Sequence, residues 1–112
     1  MDYERFLSRK LESLFQDPTE RAEVLYVFKT YGKEDHEKEP SRVKLASLKL
    51  AGPDIDEIGK YALIAKQDYR DVLAWAEYPR QSRKWSISDP DNHKKKKLLQ
   101  EDREEYQIWL IT

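Results

Sequence analysis

Four carboxylates at short spacing are the first residues in this sequence that could do chemistry. Glu34 and Glu37, and likewise Asp68 and Asp71, stand three positions apart. On a helix that spacing puts both side chains on one face. Two such pairs from facing helices supply the several oxygen ligands that Mg²⁺ or Mn²⁺ takes, which is what a metal-dependent phosphohydrolase built on helix carboxylates needs. Two observations weigh against it. Glu34 and Glu37 fall in an expected loop, and 22 acids among 112 residues produce such pairs by chance. The plainer reading is a solvated face on which Asp68 and Asp71 bond Arg70, Lys66 or a backbone N–H. No metal, cofactor or catalytic residue is therefore expected.

The remaining catalytic equipment is sparse. His36 and His93 are the only histidines, and there is no cysteine, so no zinc spacing and no thiolate nucleophile can be drawn. No serine has a histidine close in sequence, and no nucleophile elbow is present. No glycine-rich phosphate loop occurs either. Gly32 and Gly52 are expected to end helices. Gly59 falls in the first turns of an expected helix, where it costs about 1 kcal/mol relative to Ala and would be explained by close approach of a neighbouring helix.

The charge pattern gives a better lead. The chain carries −1 overall, but residues 79–97 carry +5 between flanks of −3 each. Arg80, Arg83, Lys84 and Trp85, followed by Lys94–Lys97, combine cations with an aromatic ring, the ingredients of a nucleic-acid groove. Four successive lysines, however, point all around a helix. The same cations can pair with Glu101, Asp102, Glu104 and Glu105. Tyr69, Trp75 and Tyr78 extend the aromatic group, and tyrosine and tryptophan serve both cores and interface hot spots. Trp75, Tyr78, Arg80, Arg83, Lys84 and Trp85 thus form the candidate interaction surface. An unidentified protein partner or a second copy of the chain is expected there, ahead of nucleic acid, and the expected role is a non-enzymatic protein-interaction module.

These residues must be held by a single small domain, since 112 residues leave little room for two. Charged and hydrophobic residues each make up 38% of the chain, so the core has to be compact and rich in large aromatics. The absence of cysteine fits a reducing compartment. The first residues lack the apolar run of a signal peptide, and no apolar run is long enough to span a membrane. A cytoplasmic protein is expected.

The apolar spacing predicts helices throughout. Tyr3, Phe6, Leu7, Leu11, Leu14 and Phe15 mark the first, from about Asp2 to Phe15. Asp17-Pro18-Thr19-Glu20 is a strong helix start, opening a second helix that reaches Tyr31 and ends at Gly32. The short link between the two predicts an antiparallel hairpin. Arg42 to Ala51 is apolar on two sides, as a central helix would be. Asp54 to Glu57 opens what should be the longest helix, running to Tyr78 and stopped by Pro79, with a seam at Ile58, Ala62, Ala65, Tyr69, Val72 and Ala76. Residues 80–89 are expected to be an extended basic arm. A last helix from about residue 90 to 110, capped by Asp89 and Pro90, should dock on the bundle through Leu98, Leu99, Tyr106, Trp109 and Leu110.

The stretch Asp68-Tyr69-Arg70-Asp71-Val72-Leu73-Ala74-Trp75-Ala76-Glu77-Tyr78-Pro79, with the helix before it, resembles a segment of small bacterial helical proteins of unknown function. The resemblance covers about residues 35–79. It implies a helical bacterial cytosolic protein and carries no activity or site. The fold expected is all-α, an antiparallel bundle of four to five helices with an extended C-terminal arm.

Overall fold

Aspartates start four helices of this protein. Asp2 accepts a hydrogen bond from the Arg5 N–H, Asp17 from Thr19, Asp54 from Asp56 and Glu57, and Asp68 from Arg70. Each carboxylate satisfies an N–H that the first turn cannot pair internally. The helices are α1 (Tyr3–Leu14), α2 (Pro18–Phe28), α4 (Ile55–Gln67) and α5 (Tyr69–Glu77). α3 (Pro40–Ala51) starts differently, with Pro40 in its first turn and no side-chain cap. α6 spans Asn92–Ile111. The computed structural model describes residues 2–80 and 92–112, with the backbone alone for 92–95. Among the described residues the regular structure is entirely helical, and no helix is long and apolar enough to cross a membrane.

The long fourth helix expected from the sequence is two helices. Asp68 ends α4 and caps α5, with an extended backbone between them (φ −154°, ψ 103°). Its short carboxylate bonds the Arg70 N–H ahead of it, which competes with continuing the helix. The hydrophobic seam nevertheless runs through the break. Ile58, Ala62, Ala65, Val72 and Ala76 are all buried, and Tyr69 is half-buried against the core that holds Ala65, Val72 and Ala76.

α3 lies at the centre, as its two-sided apolarity implies. Val43, Leu45, Ala46, Ser47 and Leu48 are buried, and the helix packs on α1, α4 and α5. The Ser47 hydroxyl is satisfied inside this core by donating to the Val43 carbonyl at 3.0 Å. Gly52 ends α3 at φ 66°, a left-handed conformation that glycine adopts without a Cβ penalty.

The expected α1–α2 hairpin is not the main packing of either helix. α1 lies mainly on α3 and α2 mainly on α4; the two meet through Leu11, Phe15, Val24 and Phe28 in a cluster shared with Leu48 and Ile58. A short link fixes where the second helix begins, but burial decides where it lies. α2 also stops at Phe28 rather than Tyr31. The Thr30 and Tyr31 N–H groups turn back to Val27 and Phe28, and the Tyr31 hydroxyl donates to the Lys38 carbonyl at 2.7 Å. Gly59 is not a close-packing glycine, because a Cβ there would meet no atom within 4 Å.

Candidate interaction surface

Of the six residues expected to form a surface, three are described. Arg83, Lys84 and Trp85 lie outside the described residues, as do Asp89 and Pro90 and all of the expected arm except Arg80. Trp75 is exposed on α5 (41%), and Tyr78 is half-buried at its end. Arg80 departs from expectation: its backbone is helical rather than extended, and its charge is already engaged. Its guanidinium donates to Asp102 at 3.1 Å and to Glu105, with Glu101 at 3.6 Å, and its backbone N–H also reaches Asp102. Those hydrogen bonds, from Glu105 first and then Asp102, raise the Arg80 pKa further. The pairing of basic segment with acidic helix, the plainer alternative, therefore holds at this residue.

Asp102, one of the carboxylates expected to pair with the basic segment, is fully buried. It belongs to a joint of charges between α3, α5 and α6. Arg42 on α3 grips Glu77 on α5 with two bonds, 2.8 and 2.6 Å, and those bonds raise the arginine pKa further. Lys49 donates to the Ala76 carbonyl at the end of α5 and lies 5.4 Å from the Tyr106 ring centre. On the far side Lys10 of α1 lies 4.4 Å over the Trp109 ring, a favourable cation–π placement. Burial lowers the pKa of both lysines. The joint seats α6, whose Tyr106 and Leu110 enter the core beside it.

Other large apolar residues are exposed on α4 (Leu63), on α6 (Ile108 and Ile111) and on α2. Val24 and Phe28 of α2 are buried in the cluster with Leu11, Phe15, Leu48 and Ile58. On the opposite side Tyr26 is 74% and Leu25 47% exposed, with exposed Ala22 one turn earlier. Ala22, Leu25 and Tyr26 share one helix face by their spacing. An open groove of about 460 Å³ lies beside Ala22 and Tyr26, away from Leu25, lined by Thr19, Ala22, Glu23, Tyr26, Val27 and Ile55. The signal was available in the sequence, in a helix apolar on both sides that lies second rather than central.

The paired carboxylates do not converge. Glu34 is exposed in the loop, while Glu37 is buried and accepts from the Gly32 N–H at 2.9 Å. Asp68 is held by its cap bond and by the Arg70 guanidinium at 3.0 Å, which lowers its pKa; Asp71 is exposed. The His36 Nε2–H donates to the Lys66 carbonyl at 2.9 Å. Among the described residues no group of three or more His, Asp or Glu side chains could hold a metal ion.

No family model, curated protein or solved structure matches this chain.

Proposed function

We propose that this chain is a non-catalytic protein-interaction module that docks through the outer face of α2. The observation that carries the reading is the mismatch between the composition of α2 and its burial. Val24 and Phe28 are buried, yet Leu25 and Tyr26 remain in water. Exposing large apolar groups costs roughly 25 cal/mol per Å² relative to covering them, and a grouped patch is a mark of recognition surfaces. Tyrosine suits such a face, because it brings apolar area and a hydrogen-bonding tip with few rotatable bonds. Trp75 is the part of the expected surface that could extend recognition, but Arg80 is occupied by carboxylates and supports α6 rather than a phosphate.

A photo-crosslinking residue at position 26 tests the reading, with one at exposed position 12 of α1 as control. The full chain should give a discrete adduct from position 26, weakened when Leu25 is replaced by Glu. Adducts equal in kind and yield at both positions would overturn it.

A further inference from the structure

We draw no further inference here: the strongest candidate, the surface patch on the outer side of α2 where Ala22 and Tyr26 border the open groove, is an unpartnered apolar face, and nothing in the structure shows what covers it.

Discussion

α2 and α6 are both peripheral helices, and they attach by opposite means. α6 is rich in charge, yet it is anchored: Asp102 is fully buried, Arg80 reaches it from the end of α5, and Lys10 and Lys49 cover Trp109 and Tyr106. α2 is apolar around much of its circumference, yet its attachment is largely to α4, leaving Leu25 and Tyr26 exposed. The composition of a helix therefore does not report how it is attached. Charges placed to be paired can dock a polar helix, although Ile108 and Ile111 of α6 stay exposed as Leu25 and Tyr26 of α2 do.

The largest effect that would sharpen this contrast is expected at Asp102. Asp102→Ala removes the buried anchor of α6 and should lower stability by about 3 kcal/mol. Urea denaturation measures this, and hydrogen exchange should show α6 losing protection before α3. A loss under 1 kcal/mol would mean that apolar contacts alone seat the helix.

Alkaline pH tests two tyrosines, one following α2 and one on α6. Burial first, and then Glu37, pushes the Tyr31 pKa from 10.0 to about 12; Tyr106 is raised by burial. In the unfolded chain both phenols ionise near 10. Between about pH 10 and 12 the folded state thus binds more protons, and stability falls as pH rises through that window. Lys10 and Lys49 act with the opposite sign just below their ordinary value of 10.5, since burial lowers their pKa. Stability from them rises as pH approaches 10.5 from below. Urea midpoints with tyrosinate absorbance check both signs. A midpoint that does not fall above pH 10 would mean that these phenols are solvated in the fold.

Gly59 gives a smaller effect of opposite direction. A Cβ there has open space, so Gly59→Ala should stabilise by up to about 1 kcal/mol. A destabilised variant in thermal melts would show that α4 makes an approach there which the fold as described does not contain. Smallest of all, Tyr26→Ser should change monomer stability by less than ~0.5 kcal/mol. A larger loss would make Tyr26 part of the fold and remove the contrast with α6.

Local chemistry was legible in the sequence and tertiary pairing was not. Asp17 and Asp54 announce helix starts because a cap needs only a short acceptor and the N–H groups two or three residues on. The two-sided pattern of α3 gives its central place because burial on both faces leaves no polar side. The break at Asp68 was hidden, because the apolar spacing continues from Ala65 to Tyr69 and Val72 as if no joint intervened. The local clue was an aspartate able to cap the turn after it. The basic segment could be read as pairing with Asp102 and its acidic neighbours, but which cation meets which carboxylate depends on how α5 and α6 cross. Similarly, the expected surface at Trp75 to Trp85 rested on composition, whereas the exposed face of α2 appears only once the residues that α2 buries are known.

The contact of Lys10 with Trp109 has a kinetic meaning. It joins a turn near the start of the described chain to one near its end, across nearly its whole length. Closing so long a loop is entropically unfavourable, though the cost grows only with the logarithm of its length, and contacts of that separation form late in folding. α3, α4 and α5, neighbours in sequence and in space, can assemble first and present the site on which α6 then closes. The order in reverse makes α6 the first helix to open, so partial unfolding should begin there and leave the α2 face intact on the remaining bundle.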